Sequence, residues 1–152
     1  MKIHLPTYGQ GVHEINQDLE AAELELDPAI FEQAVHAALR LDRHDPYFEF
    51  RIHLTAIAHA ECDRCLEGFQ LPLEVRAPLL FVAGHPPKGD DVDDTDIVYF
   101  KAGTTELDLS HDFRDLLILA YSGKHLCDEN CKGLCPNCGA NLNEHFCECA
   151  PN

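Results

Sequence analysis

The sequence lacks the features that would mark a membrane or exported protein. No apolar run approaches the roughly 20 residues that an α-helix needs to cross a bilayer. The amino-terminal stretch, MKIHLPTYGQGVHEINQDLE, has polar residues and Pro6 where a signal peptide has its apolar core, so we expect no export. The prediction is therefore a cytoplasmic protein that has no membrane contact.

Positive charge is scarce, because 11 Lys and Arg face 27 Asp and Glu and the formal net charge is -16. Nucleic-acid binding usually depends on cations that neutralise phosphates, so naked RNA is disfavoured as the main partner. A basic partner protein is electrostatically easier to bind. Solubility alone is the other interpretation of the acidity. The candidate cations for a limited RNA contact are Arg64, Arg114, Lys124 and Lys132.

The sequence also lacks internal repeats of domain size. With 152 residues, of which 45% are hydrophobic, it predicts a single domain over residues 1–152. A chain of this length buries roughly two-thirds of the surface that its unfolded form exposes. Metal would therefore stabilise a local region of the fold and would not be its whole source of stability.

Cysteine, by contrast, is abundant, with 8 residues in the chain. Six of them lie in the run 127–149, CDENCKGLCPNCGANLNEHFCEC, and Cys62 and Cys65 form a CxxC in the middle. A cytosolic chain keeps its thiols reduced, so close cysteine spacing there predicts metal ligands more readily than disulfides. The cysteines divide into two sets of four, the number of ligands that a tetrahedral Zn²⁺ takes.

The spacing assigns one set to the tail alone. Cys135-Pro-Asn-Cys138 has the form of a tight zinc knuckle, and Cys147 and Cys149 follow after a short loop. The second set then combines distant parts of the chain, and it would clasp the tail to the 62–65 turn. Its members are Cys62, Cys65, Cys127 and Cys131. His125 and His145 lie beside cysteines and are alternative ligands, so the exact grouping stays open.

Three other cysteine chemistries are weaker predictions. Cys131-x3-Cys135-x2-Cys138 has the spacing of the radical SAM cluster motif, but too few residues follow it to build a barrel. A ferredoxin-like iron–sulfur site needs other spacings. A redox dithiol at Cys62 and Cys65 would need a βαβ context that the sequence does not offer.

No catalytic constellation stands out among the remaining residues. A zinc ion that is closed by four thiolates has no open coordination position for substrate or water. We therefore expect that the protein is not an enzyme and that it has neither catalytic residues nor a small-molecule substrate.

Hydrophobic periodicity predicts an α+β fold with a mostly antiparallel β-sheet. In the stretch 47–60, apolar and charged residues alternate as in a half-buried strand, and this strand runs into Cys62. The stretch 31–41 fits a helix or a strand equally well. One main helix is expected near residues 110–121, followed by the C-terminal zinc-binding tail. Residues 84–96 are rich in Pro, Gly and Asp, which predicts a loop. A calcium-binding loop is the more specific alternative.

Three segments together carry a family resemblance. They read AECDRCLEGFQLPL in the middle, LDLSHDFRDLLILA before the tail and LCDENCKGLCPNCGANLN near the end. Their order and spacing resemble those of the YceD family of large-subunit ribosomal RNA accumulation proteins, over roughly residues 45–149. Where the family usually has a proline-containing stretch after the helix, this chain has AYSGKHLC, which leaves its path into the tail open.

The resemblance implies a non-catalytic zinc-binding factor that supports the accumulation of large-subunit (23S) ribosomal RNA and ribosome assembly. Such a factor would act on an assembly intermediate, through a basic ribosomal protein or a limited RNA contact. The alternative from another class is a zinc-thiolate redox sensor, in which oxidation of the thiolates releases the metal.

Overall fold

A computed structural model describes residues 1–86 and 97–149 of the chain. Most of the predicted loop at 84–96 therefore lies outside the described residues. The regular elements are, in chain order, β1 (Lys2–His4), β2 (Gly11–Leu19), β3 (Val35–His44), β4 (Tyr47–Glu61), β5 (Gly68–Ala83), β6 (Ile97–Phe100), β7 (Glu106–Asp108) and α1 (Ser110–Tyr121). Within the described ranges, no helix is both long and apolar enough to cross a bilayer.

The main sheet has five strands in the order β2-β3-β4-β5-β6. The first three pairs are antiparallel, and β5 and β6 run parallel. The mostly antiparallel sheet is thus confirmed, and the ambiguous stretch 31–41 contributes to strand β3. Strand β7 is not part of this sheet and pairs with β1 in a separate two-stranded sheet.

One face of the main sheet carries the core. The buried residues of β4 are every second residue from Phe48 to Ala60, as the period of an extended strand requires. The register places Leu39 of β3 opposite Ile52 of β4, so the buried faces of the two strands coincide. Helix α1 covers this face with Phe113 and Leu117, which are both 0% exposed. Its bounds confirm the helix that was predicted near residues 110–121.

Strand β5 contains two prolines although it pairs with two neighbours. Among the described residues, its pairing with β6 begins at Leu80, so Pro72 and Pro78 precede that pairing and have β4 as their described partner strand. Proline removes a backbone donor, a loss that is tolerated where a strand has one neighbour. The described pairing therefore explains how a 16-residue strand accommodates both residues.

The β4–β5 hairpin and the end of α1 together position the tail. The hairpin pairing ends at Glu61 opposite Gly68, which leaves residues 62–67 as its tip. The hydroxyl of Tyr121, the last residue of α1, donates to the backbone oxygen of His59 near this end of β4, at 3.1 Å. The stretch AYSGKHLC, whose path the sequence left open, therefore leads from the end of the helix directly to the hairpin tip, along the end of β4.

Candidate metal centres

The first cysteine cluster joins the hairpin tip to the start of the tail, and we call it the clasp group. The Sγ atoms of Cys62 and Cys131 are 3.8 Å apart, and those of Cys65 and Cys127 are 3.6 Å apart. All four Sγ atoms lie within 4.8 Å of one another. Three of the side chains are buried, and that of Cys127 is exposed.

The second cluster lies wholly in the tail, and we call it the terminal group. It comprises Cys135, Cys138, Cys147 and Cys149, whose Sγ atoms also lie within 4.8 Å of one another. Cys147 is 3.4 Å from Cys138 and 3.2 Å from Cys135, measured between Sγ atoms. Cys138 is exposed and only Cys135 is buried, so this group is nearer to solvent than the clasp group.

Both groups have a donor set and spacing that fit Zn²⁺. Four sulfurs at a Zn–S distance of about 2.3 Å form a tetrahedron with edges of about 3.8 Å. The measured Sγ–Sγ distances of 3.2–3.8 Å are close to that edge. Each set of four cysteines offers soft thiolate ligands and would close the coordination shell. The structure thus brings the eight cysteines together in the two sets that their spacing predicts.

The two histidines that were alternative ligands have other roles. His125 Nε2 lies 2.7 Å from the backbone oxygen of Tyr121, and its ring packs against the ring of Tyr121 with centroids 4.6 Å apart. The side chain of His145 points to solvent and lies 3.8 Å from the carboxylate of Glu144. Among the residues that the structure describes, both groups consist of cysteines alone.

Asp63 and Arg64 fix the tail to the hairpin tip from inside the CxxC turn. The carboxylate of Asp63 accepts the backbone N–H of His125 at 2.8 Å, and the Asp63 N–H donates to the His125 carbonyl at 2.9 Å. The Arg64 guanidinium donates to the carbonyl oxygens of Glu129 and Cys131 at 3.2 and 2.9 Å. The two residues between the cysteines therefore bind both ends of the tail segment that supplies the other two sulfurs.

The two groups are in contact through Asn143, a residue that the sequence pattern did not single out. Its Nδ2 donates a hydrogen bond to Cys131 Sγ at 3.3 Å, and its Oδ1 accepts the backbone N–H of Lys132 at 2.8 Å. Asn143 lies in the loop between Cys138 and Cys147 of the terminal group. Asparagines at positions 141 and 143 favour a tight turn, but nothing in the cysteine spacing indicates which sulfur such a turn would reach.

Hydrogen bonds make the thiols of each group unequal. The backbone N–H of Cys127 donates to Cys62 and lowers the pKa of that thiol to about 6. In the terminal group, the backbone N–H groups of Cys138 and Asn137 lower the pKa of Cys135 to about 6. The amide of Asn143 is the main cause of a lowered pKa at Cys131.

Their neighbours show the opposite shift. The hydrogen bond with the Cys65 side chain raises the pKa of Cys127 to about 12, and that with Cys147 raises the pKa of Cys149 to about 12. The side chain of Cys135 likewise raises the pKa of Cys147. Without metal, each group would hold protons on some sulfurs and negative charge on others, and a bound cation would displace those protons.

The four candidate cations have different surroundings. The Arg64 guanidinium donates hydrogen bonds to tail carbonyls, and Arg114 forms an ion pair with Asp115 at 3.7 Å. Lys132 Nζ lies 5.9 Å from the ring centroid of Phe146, a side chain that is 100% exposed. Lys124 is exposed between the helix and the clasp group. Two of these four cations therefore already have partners within the chain, tail carbonyls for Arg64 and a carboxylate for Arg114.

Comparison with known proteins gives partial matches to two plant proteins. A maize protein named "Large ribosomal RNA subunit accumulation protein YCED homolog 1, chloroplastic" is 44% identical over 62 residues, which cover 40% of this chain and 21% of that protein. The Arabidopsis thaliana protein of the same name is 42% identical over 58 residues, 38% of this chain and 18% of its own length. The match thus spans about a fifth of each plant protein. No solved structure matches the chain.

The family model for "Large ribosomal RNA subunit accumulation protein YceD" matches residues 50–152. This range includes most of β4 together with β5, α1 and both cysteine groups. The matched segment is more than half of the chain, and it agrees with the resemblance seen in the three sequence segments. The chain therefore belongs to the YceD family.

Proposed function

We propose that the protein is a non-catalytic, zinc-binding factor that supports large-subunit (23S) ribosomal RNA accumulation and ribosome assembly. The observation that carries this proposal is the pair of closed four-cysteine groups inside the family-matched segment, one of which ties the tail to the main sheet. Family membership points to the large ribosomal subunit. In this proposal residues 1–152 act as one domain, and the run 127–149 is its metal-bound tail.

Zn²⁺ is the metal that we propose for both groups. Four thiolates would fill its tetrahedral shell and would leave no position for a substrate or an activated water. The metal would then act through structure, by holding the run 127–149 against the hairpin tip. Because the ligands are deprotonated when bound, each centre would carry a net charge of about -2.

A basic ribosomal protein is the partner that the charge distribution favours. The metal centres would add negative charge to a chain whose formal charge is already -16. Beside the clasp group, a surface cavity of about 360 Å³ is lined by the acidic residues Glu67, Asp128 and Glu144. A cationic side chain complements such a surface, whereas RNA phosphates are repelled by it. We propose a limited contact with ribosomal RNA as a second mode of binding to the assembly intermediate. The cytoplasmic location stays a prediction.

Depletion in the cell that makes this protein tests the cellular role. We expect that depletion lowers 23S ribosomal RNA relative to the small-subunit RNA. The wild-type chain should restore the ratio, and a Cys62→Ser, Cys65→Ser variant should not. An exposed substitution on α1, Leu119→Ala, serves as the control and should restore it fully. An unchanged ratio after depletion would contradict the proposed role.

Binding measurements on the purified, zinc-loaded protein separate the two modes of contact. With a basic partner, the protein should co-sediment with ribosome assembly intermediates and should bind isolated ribosomal RNA weakly. Tight binding to ribosomal RNA alone, with a steep loss of affinity as salt rises, would show that phosphate contacts dominate and would refute the preference for a protein partner.

The exposure of the terminal group favours a zinc-thiolate redox sensor as a second function. Cys138 is exposed, and Cys147 lies 3.4 Å away from it. Peroxide would oxidise this pair to a disulfide, be reduced to two hydroxide ions, and release Zn²⁺ from the remaining ligands. Zinc release at a low excess of peroxide, measured with a chromophoric chelator, would support the sensor. Indifference to peroxide would count against it.

A further inference from the structure

The two cysteine groups are linked by a stack of three backbone segments. The Leu134 N–H donates to the carbonyl of Arg64 in the hairpin tip, at 3.0 Å. The Leu142 N–H donates to the carbonyl of Gly133 at 2.9 Å, and Leu134 forms an isolated β-bridge with Asn141. The middle segment, residues 131–135, carries one cysteine of each group. It is therefore held by the hairpin tip on one side and by the loop of the terminal group on the other.

Asn143 extends this link to a sulfur of the clasp group. The residue belongs to the loop 139–146, whose two ends are the cysteine pairs of the terminal group. Its amide is oriented by two further contacts, because Nδ2 also donates to Asn141 Oδ1 at 2.9 Å and Oδ1 accepts the Lys132 N–H. A donor to a metal-bound thiolate stabilises its negative charge, and residues in this role change metal affinity about tenfold to 100-fold.

We infer that Asn143 couples the two metal centres, so that metal binding at the terminal group raises the metal affinity of the clasp group. This inference rests on the proposed metal sites. Metal in the terminal group fixes both ends of the loop 139–146 and so presents the Asn143 amide to Cys131. Without that metal, the end of the loop at Cys147 is released. Only the backbone contacts of residues 141 and 142 with the segment 131–135 then hold Asn143 near Cys131, and the amide is oriented less firmly toward the sulfur. Linkage makes the effect reciprocal between the two sites.

The coupling gives an order to metal loading. The terminal group takes its four sulfurs from the run 135–149 alone and only its Cys135 is buried, whereas three of the four clasp cysteines are buried, so Zn²⁺ reaches the terminal group more easily. The terminal group therefore fills first and prepares Asn143 for the second step. Asn143 is a positioning residue for the clasp group and is not itself a metal ligand.

Stepwise titration of the full chain with Zn²⁺, in competition with a chromophoric chelator, tests the inference. Asn143→Ala should leave the stoichiometry unchanged and lower the affinity of the second step about tenfold to 100-fold. The control is Asn16→Ala, an exposed asparagine of β2 that lies outside both cysteine groups. It should titrate like the wild type.

Variants that retain only one cysteine group distinguish coupling between the centres from a direct effect of Asn143 on one centre. With Cys62→Ser and Cys65→Ser in place, Asn143→Ala should change terminal-group affinity less than about threefold. With Cys147→Ser and Cys149→Ser in place, clasp-group affinity should already be reduced, and Asn143→Ala should reduce it by less than about a further threefold. Co²⁺ can replace Zn²⁺ in each variant, and its thiolate charge-transfer band reports which group is filled.

Two outcomes overturn the inference and are distinguishable from a failure of the metal sites. If Asn143→Ala lowers clasp-group affinity as much without the terminal cysteines as with them, the amide acts on Cys131 without any coupling. If the second step is unaffected by Asn143→Ala, the hydrogen bond has no role in affinity. In both cases the wild type still binds two Zn²⁺. A wild type that binds no Zn²⁺ refutes the proposed sites together with the inference.

Discussion

Gly133 packs against Arg64 so closely that a Cβ atom on Gly133 would lie 2.9 Å from the Arg64 carbonyl oxygen. The contact brings the tail backbone onto the CxxC turn, next to the hydrogen bond between Leu134 and Arg64. Gly133 also has a φ of +74°, a conformation that side chains with a Cβ rarely adopt. Glycine is therefore required at this position for two separate physical reasons.

Replacement of this glycine should open the clasp, and a second glycine supplies the control. Gly139 has the same φ of +74°, but a Cβ atom added there would meet no other atom within 4 Å. Gly139→Ala should cost about 1–2 kcal/mol, the strain of the left-handed conformation alone. Gly133→Ala should cost about 1–3 kcal/mol more than that, because the carbonyl must also move away. Urea unfolding of the zinc-loaded protein measures both costs, and equal values would show that the close approach is unimportant.

Loss of a single cysteine should have different consequences in the two groups. Cys62→Ser removes a clasp ligand, so the whole run from Cys127 onward should become sensitive to protease. Cys147→Ser, at saturating Zn²⁺, should expose only the terminal knuckle, because the contacts of Asp63 and Arg64 with the tail remain. Limited proteolysis with mass spectrometry locates the cuts. Equal sensitivity of the tail in both variants would argue against two separate centres.

Metal binding should release fewer protons than the number of thiols suggests. At about pH 7.5, Cys62 and Cys135, whose pKa values are lowered to about 6, are already thiolates, whereas Cys127 and Cys149, with pKa values raised to about 12, carry protons. Each Zn²⁺ should therefore displace fewer than four protons. Calorimetry in buffers of different ionisation enthalpy measures this number.

The sign of the pH dependence follows from the same shifts. As the pH falls through about 6, Cys62 and Cys135 take up protons, so each Zn²⁺ must displace one more proton and its affinity falls. Above this range their thiolates are ready to bind. A release of four protons per metal ion at about pH 7.5, or an affinity that does not fall between about pH 7.5 and 5.5, would contradict these pKa values.

Two leucines of α1, one buried and one exposed, allow a test of how much the packing of the helix on the sheet stabilises the fold. Leu117 is 0% exposed and Leu119, two residues later on the same helix, is 72% exposed. Leu117→Ala should lower the free energy of unfolding by about 2–5 kcal/mol, because it leaves a cavity against the sheet. Leu119→Ala should change it by less than about 0.5 kcal/mol. Chemical denaturation measures both, and a large effect at Leu119 would reveal a contact that covers this face.

Local sequence patterns predicted the elements that bury a single face at a regular spacing. The alternation in 47–60 indicated β4, and the apolar face with acidic residues in the first turns indicated the helix at 110–121. The stretch 31–41 stayed ambiguous because residues such as Val35 and Leu39 fit both periods. Its choice of strand depends on β2 and β4 on either side, and such tertiary pairing is not visible in one segment.

The cysteine sets were predictable because a count of eight and the CxxC spacings leave few tetrahedral groupings. The contacts around them were not. Arg64 was a candidate cation for RNA, yet its guanidinium donates to carbonyls of the tail. Asn143 reaches Cys131 through a loop whose shape depends on its own hydrogen bonds, and neither residue type nor spacing identifies such a partner.

The distance along the chain between Cys62 and Cys131 has a consequence for biosynthesis. During translation, the hairpin tip emerges from the ribosome long before Cys131. Cys62 and Cys65 therefore supply only two of the four clasp ligands while α1 and the start of the tail are made. By the time the fourth sulfur arrives, the five strands of the main sheet have left the exit tunnel. A filled clasp group would thus mark a nascent chain whose sheet is already synthesised.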